Sequence, residues 1–313
     1  MSRFLIKLFG FLVGFVLLLS LLIFVVPKSK SPSYNLYNYK LSLVDTVPAP
    51  RLIFVSGSSL YTSLDSKRIE DSLHVHVINS GLHAGIGLKY TIDDIATRVK
   101  SGDVVAIGAE YPQFYTDAYG NKTLAVILYY NGWQNLGSLN LKQWLNVLKG
   151  IPYIIRVNMF EGLLAHEILG KTSNPLNAIN KNGDEILHWK IDADGTGIVS
   201  GASKENLPLD TSFCKYFVKK LQEIEAKGAR VVMIPSVIRE TAFKYEQKRA
   251  YEIDAFFRRY GYGYNSKPED HVMPDSCAWN TDYHMNYKGV ERNTDLLIKE
   301  LKSDFRCINY RNN

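Results

Sequence analysis

Leu8 to Val26 is an unbroken run of 19 residues without a charge, polar only at Ser20. Such a run has two destinations, lipid or a protein core, and at ~1.5 Å per residue it can cross the ~30 Å hydrocarbon layer of a bilayer. Arg3 and Lys7 precede it, and Pro27, Lys28 and Lys30 follow. A core helix would carry polar positions. A cleaved signal peptide would have a shorter apolar stretch and small residues at its cleavage site, where this chain has Val25-Val26-Pro27. Residues 1–28 therefore read as an uncleaved signal anchor, a single transmembrane helix. Basic residues flank both ends, so the charge bias does not set a direction. The simplest topology keeps the short tail inside and the large domain outside.

Residues 29–47 are polar and Tyr-rich, with Pro32 among several Ser, Asn and Lys, and read as a stalk. The folded domain is expected over 48–313. The 37 basic and 31 acidic residues are spread evenly, and a net charge of +6 leaves no footprint for nucleic acid. The three cysteines, Cys214, Cys277 and Cys307, lack CxxC spacing, which speaks against zinc or dithiol chemistry. An odd number outside the cytoplasm leaves a thiol free or bonded to another chain, and a Cys277–Cys307 pair stays open.

Four short runs are rich in β-branched residues and end on Gly, Ser, Pro or Asn: Arg51 to Val55, Val75 to Ile78, Asp103 to Ile107, and Arg230 to Ile234. Helical patterns lie between and after them. They cover Asp65 to Leu73, Thr91 to Lys100 (with Asp93 and Asp94 in the first turn), Phe217 to Lys227 closed by Gly228, Ala242 to Arg259, and Gly289 to Ser303. This alternation predicts an α/β fold, a mostly parallel central sheet covered by helices on both faces in three layers. Residues 121–208 break the rhythm. They hold a helix at Leu141 to Leu148, another over Met159 to Leu169, and loops rich in Asn, Lys, Asp and Gly, and read as an insertion, a lid or partner surface.

In such sheets ligands collect at the carboxyl ends of the strands. The turns there are Ser56-Gly57-Ser58-Ser59, Asn79-Ser80-Gly81, Gly108-Ala109-Glu110 and Pro235-Ser236. A Ser on a strand-to-helix turn is held exposed beside backbone N–H groups able to hold an oxyanion. Taken alone, the same segment reads first as a Ser/Gly turn capping a helix, since Ser is a common cap. Before the last helix stands Asn280-Thr281-Asp282-Tyr283-His284, where a His beside a carboxylate suits a general base. His74 and His76 alternate along a strand but have no third ligand, and read as a structural pair. His166-Glu167 lacks the second His of a zinc-protease motif.

Ser58 after an apolar strand, Gly81 in an Asn-x-Gly loop, the Gly-x-x block after the third strand and the C-terminal acid-and-His block together resemble the SGNH/GDSL hydrolase superfamily. The likeness is to its membrane-anchored extracytoplasmic branch, which includes proteins similar to alginate O-acetylation proteins and to the D-alanyl transfer protein of teichoic acid synthesis. It covers roughly 51–117 and 230–301. The resemblance implies an SGNH/flavodoxin-like sandwich with Ser58 as nucleophile, the N–H groups of Ser58 and Gly81 as oxyanion hole, His284 as base, and neither cofactor nor metal. Matching Gly57-Ser58-Ser59-Leu60 to Gly-Asp-Ser-Leu would choose Ser59 instead; the strand register prefers Ser58.

Two positions depart from the superfamily. Glu110 stands where an Asn donor is expected, although members of the branch with Glu-Tyr here exist, and an ionised Glu cannot donate. The acid three before the His is Thr281, and the branch's acid four before it is Asn280. Asp282, two before, shares a side with His284 on an extended segment and is the candidate acid, with Asn280 a weaker orienting group. The implied activity is that of an esterase or O-acyltransferase working through a Ser–His acyl-enzyme. Its substrate would be a cell-surface glycan or lipid-linked saccharide, in a bacterial periplasm or at the cell surface. A membrane acyl-donor protein would partner the transferase version. The rival is a catalytically degenerate protein of the same fold, serving in glycan binding or assembly of an envelope complex. The missing Asp and Asn favour the rival, and Ser58 with the His block favours the enzyme.

Overall fold

The β-branched runs become four parallel strands in the order β2-β1-β3-β4: β1 (Arg51–Val55), β2 (His76–Asn79), β3 (Val104–Ile107) and β4 (Arg230–Met233). The structure, a computed structural model, describes residues 2–25, 32–131, 135–159, 175–191, 193–200 and 207–309. Every residue of β1 and β3 is buried, as central parallel strands covered on both faces require. Their side chains divide with a period of two. Ile53, Val55, Val105 and Ile107 enter one hydrophobic cluster with Ile92, Phe217 and Phe257. Leu52, Phe54, Val104 and Ala106 enter another with Leu60, Ile69 and Leu297.

The intervening elements are α3 (Ser58–Thr62), α4 (Ser66–Leu73), α5 (Leu88–Arg98), α8 (Thr211–Ala226), α9 (Glu240–Arg258) and α10 (Tyr287–Asn309), with a two-stranded parallel pair, β5 (Ile238–Arg239) and β6 (Val272–Met273). Asp65 caps α4 by accepting from the Arg68 N–H at 3.1 Å. Gly228, at φ +83°, follows α8 in a backbone conformation that glycine tolerates best. The helix α5 begins a turn earlier than expected, so Asp93 and Asp94 lie inside it. Asp93 accepts from Lys89 at 2.8 Å and Asp94 from the Tyr37 hydroxyl at 3.0 Å.

The expected stalk is different. A helix, α2 (Pro32–Thr46), occupies most of it, and Leu36, Tyr37, Lys40 and Val44 are buried against the domain. Their spacing is a helical stripe. It is hard to see in sequence because one of its members is a lysine. Lys40 reaches the carbonyl oxygens of Asn79 (3.1 Å) and Gly81 and lies 4.1 Å from the Tyr61 ring centre.

Two helices, α6 (Lys122–Tyr130) and α7 (Leu141–Arg156), pack as a pair. A Cβ at Gly150 would stand 2.5 Å from the Ala125 Cβ, so the two helices touch backbone to side chain there. The expected Leu141 to Leu148 helix runs on past Gly150 and Pro152, because packing on α6 outweighs their helix-breaking tendency. The helix expected over Met159 to Leu169, and His166-Glu167 with it, lies almost wholly outside the described residues. Cys214 and Cys277 are buried free thiols, and the Cys307 side chain of the open Cys277–Cys307 pair lies outside the described residues.

The N-terminal helix α1 (Ser2–Ser20) continues in a short π-helical turn, and Ser2–Ile23 is long and apolar enough to cross a membrane. Its apolar side chains are exposed nearly throughout.

Candidate active site at the carboxyl edge of the sheet

The chain leaves β1 through Ser56 and Gly57 and enters α3 at Ser58. Ser56 Oγ accepts the Leu60 N–H at 3.2 Å, which turns the chain into the helix. Ser59 is fully buried and donates its hydroxyl to Gly108 O at 3.2 Å, at the end of β3. Ser58 alone between 56 and 60 reaches partly into solvent.

No side chain next to α3 caps its first turn. Glu110, from the turn after β3, does so at a distance. Its carboxyl accepts the Gly57 N–H at 3.1 Å and the Ser59 N–H at 2.8 Å, with the Ser58 hydroxyl at 3.5 Å. Burial pushes the Glu110 carboxyl above the usual glutamate range, against the opposing pull of backbone N–H groups that include those of Ser59, Gly57 and Ser58.

Gly81 packs against the same turn. A Cβ there would lie 2.6 Å from Ser56 Oγ and 2.9 Å from Gly57 O, so no larger residue fits. Its N–H points to Asn79 Oδ1 at 3.1 Å. Behind it, Asp184 accepts from the Ser66 N–H (2.7 Å), the Ser66 hydroxyl (2.6 Å) and the Asn79 amide (2.8 Å). Desolvation raises the Asp184 carboxyl and lowers the nearby Lys40 ammonium.

The last segment of the chain brings His284 to this edge. Ser63, which follows α3, donates its hydroxyl to Tyr283 O at 3.3 Å and accepts the Met285 N–H at 3.1 Å. One serine therefore holds the backbone on both sides of His284. Since α3 spans only ~7.5 Å at ~1.5 Å per residue, Ser58 and His284 stand at opposite ends of one short helix. Among the described residues no hydrogen bond joins the two side chains. His284 Nδ1 meets Asn280 Oδ1 at 2.7 Å, so Nδ1 carries the proton and Nε2 the lone pair. Burial first, then His188 and His83 nearby, push the His284 imidazole down to about 4, with Glu185 pulling the other way.

Asp282 is elsewhere. It is fully buried and accepts from Arg239 Nε at 2.7 Å and from the Ser200 hydroxyl at 2.9 Å. It does not share a side with His284, because 281–284 is a turn rather than an extended segment, closed by His284 N–H to Thr281 O at 3.4 Å. In a turn the residue four before comes alongside, and that residue is Asn280.

The structure adds a pair that sequence reasoning missed. His188 Nδ1 contacts the Glu185 carboxyl, and the His188 ring stacks on Trp279 at 4.4 Å between centroids. Trp279 in turn donates its backbone N–H to His284 O at 2.8 Å. Among the described residues His188 Nε2 is buried with no hydrogen-bond partner. The one available signal was Glu185-x-x-His188, a spacing that places both side chains on one side of a single helical turn. His83, whose imidazole burial also lowers, lines a small cavity with Ser56, Gly57 and Gln113.

His74 and His76 are exposed and do not share a strand; His74 ends α4 in the left-handed conformation and His76 opens β2. Among the described residues no group of three His, Cys, Asp or Glu is placed to hold a metal ion. Compared with known proteins, the chain matches no protein-family model, no curated protein and no solved structure.

Proposed function

We propose that this chain is a membrane-anchored, extracytoplasmic SGNH-like serine esterase or O-acyltransferase acting on a cell-surface glycan or lipid-linked saccharide. The observation that carries the reading is the tie made by Ser63, which ends the helix that begins at Ser58 and fastens both neighbours of His284. The strand order and the two hydrophobic clusters either side of β1 support a three-layer, flavodoxin-like sandwich of the SGNH kind.

In this reading Ser58 Oγ attacks an acyl carbonyl and its proton passes to His284 Nε2. His284 gives that proton to the departing oxygen of the donor ester as the acyl–Ser58 ester forms. It then takes one from the water or sugar hydroxyl that attacks the acyl-enzyme and returns it to Ser58 Oγ as the acyl group leaves. Asn280 holds the imidazole in the tautomer that leaves Nε2 free. The developing oxyanion faces the N–H groups at the start of α3. Glu110 stands over them where the superfamily has an Asn amide, and burial raises its carboxyl pKa.

A second reading rests on the same residue. A carboxyl that already fills the N–H nest of Gly57 and Ser59, with Asp282 turned to Arg239, suits a catalytically degenerate glycan-binding or assembly protein. Hydrolysis of an activated acetyl ester by the full chain separates the two. The enzyme reading expects turnover that falls by about 10³-fold or more in Ser58→Ala and His284→Ala and persists in Ser59→Ala. Folded wild-type protein no faster than buffer supports the degenerate reading.

A further inference from the structure

The α7 helix has two apolar faces. At 3.6 residues per turn, Gln143, Val147, Gly150 and Ile154 fall together and are buried on the domain. Leu141, Trp144, Leu145 and Leu148 fall within an arc of about 100° on the opposite side. All four are exposed, Leu141 at 75% and Leu148 at 56%. Between the two faces lie Lys142, Lys149 and Arg156, and α7 contains no acidic residue. A helix in water gains nothing from the outer stripe.

Two observations say what covers it. The first is position. Ile23, at the end of the candidate span, is buried in the cluster that also holds Val147 and Ile154 of α7. The α7 helix therefore packs, through its inner face, beside the point where the apolar helix would leave the bilayer. The second is charge. Cations flank an apolar stripe with a tryptophan in it, as at the boundary between acyl chains and anionic headgroups, although Lys142 also meets Asp210 at 3.6 Å.

We propose that α7 lies on the membrane surface, with Leu141, Trp144, Leu145 and Leu148 in the headgroup–acyl boundary of an anionic leaflet. The proposal rests on the reading of Ser2–Ile23 as a membrane span. Docking at α7 gives the domain a second attachment and so fixes its orientation as well as its tether. The consequence reaches the candidate site, because the α6–α7 pair is fastened to its wall. Asn121 donates its N–H to Gly85 O at 2.8 Å, two residues from His83.

The test uses the full chain in vesicles of phosphatidylcholine and phosphatidylglycerol, with and without acyl chains brominated near the headgroup. The reporter is tryptophan fluorescence, and the candidate span contains no tryptophan. The expected result is quenching in the wild type whose extent falls about two-fold or more in Trp144→Phe. Leu148→Glu, a change on the same exposed stripe, should reduce the quenching as well. Alkaline carbonate extraction is run on the same vesicles. Protein that resists carbonate but shows the same quenching with and without Trp144 overturns the docking and leaves the span. Protein released by carbonate overturns the span and the proposal with it. Unquenched protein that forms disulfide-linked dimers through Leu145→Cys shows that the stripe meets a second copy, and overturns the membrane assignment.

Discussion

The two edges of the central sheet treat buried charge in opposite ways. At the amino edge Arg51 and Asp103, both fully buried, meet in a two-pronged pair, Nε to Oδ1 at 3.0 Å and Nη2 to Oδ2 at 2.5 Å. Asp103 also accepts the backbone N–H groups of Arg51 and Lys100, and Arg51 donates to the Val44 and Val47 carbonyls. This cluster locks β1 to β3 and to the end of α2. At the carboxyl edge Asp282 also meets a cation, Arg239, but Glu110 and the half-buried His284 have no such pair among the described residues. Glu110 is held by backbone N–H groups, and His284 Nδ1 is held by the Asn280 amide oxygen rather than a carboxylate. Both are pushed toward their neutral forms. A completed ion pair fixes a fold, whereas titratable groups with shifted pKa values and no counter-charge cluster at functional sites.

The largest expected effect lies at the amino edge. Arg51→Ala leaves Asp103 buried without its counter-charge and should lower unfolding stability by about 3–5 kcal/mol. Chemical denaturation measures it. A loss below about 1 kcal/mol would break the contrast between the two edges.

Next comes pH dependence at the carboxyl edge. The raised Glu110 pKa means that the folded state holds a proton the unfolded state has released, so its contribution to stability falls as pH rises above the ordinary glutamate range. His284 acts in reverse. The unfolded state takes up a proton that the folded state refuses, so stability rises with pH from about 4 toward the ordinary histidine value of ~6.5. The two slopes oppose each other in the wild type. Unfolding measured from pH 4 to 7 should show stability rising more steeply in Glu110→Gln and falling in His284→Asn. Glu110→Gln should also cost about 1–3 kcal/mol, because its amide turns an N–H toward N–H donors.

Smaller still is a shift in the acid limb of the activity profile. With His284 as base and its imidazole near 4, ester turnover should keep its lower limb near 4, well below where a free histidine titrates. Asn280→Asp places a carboxylate on Nδ1 and should move that limb up by about 1 unit or more. Asp282→Asn should leave it within about 0.3 unit, because Asp282 faces Arg239. If Asp282→Asn moves the limb and Asn280→Asp does not, the placement of the two residues is reversed.

The strands were legible because central parallel strands bury both faces, and β-branched runs such as Leu52 to Val55 have little else to do. Helix ends were less so. The start of α5 and the length of α7 depend on what they pack against, and Gly150 and Pro152 look like stops until α6 is alongside. The α2 helix was hidden by Lys40, a charged residue buried only because the Asn79 and Gly81 carbonyls wait for it. At the site, the turns after β1, β2 and β3 were legible from the sheet alone. The orienting partner of His284 was not, since the choice between Asp282 and Asn280 turns on whether 281–284 is extended or folded back. Glu185 and His188 gave no signal beyond their spacing, because their role depends on contact with Trp279, 91 positions along the chain from His188.

Covalent labelling of the full chain with a fluorophosphonate, followed by mapping of the modified peptide, tests the central claim most directly. In the proposed mechanism Ser58 Oγ would displace fluoride from phosphorus and its proton would go to His284. The account expects a single adduct on Ser58, absent in His284→Ala and retained in Ser59→Ala. A folded wild-type chain that takes up no label, or takes it up on another residue, would contradict it.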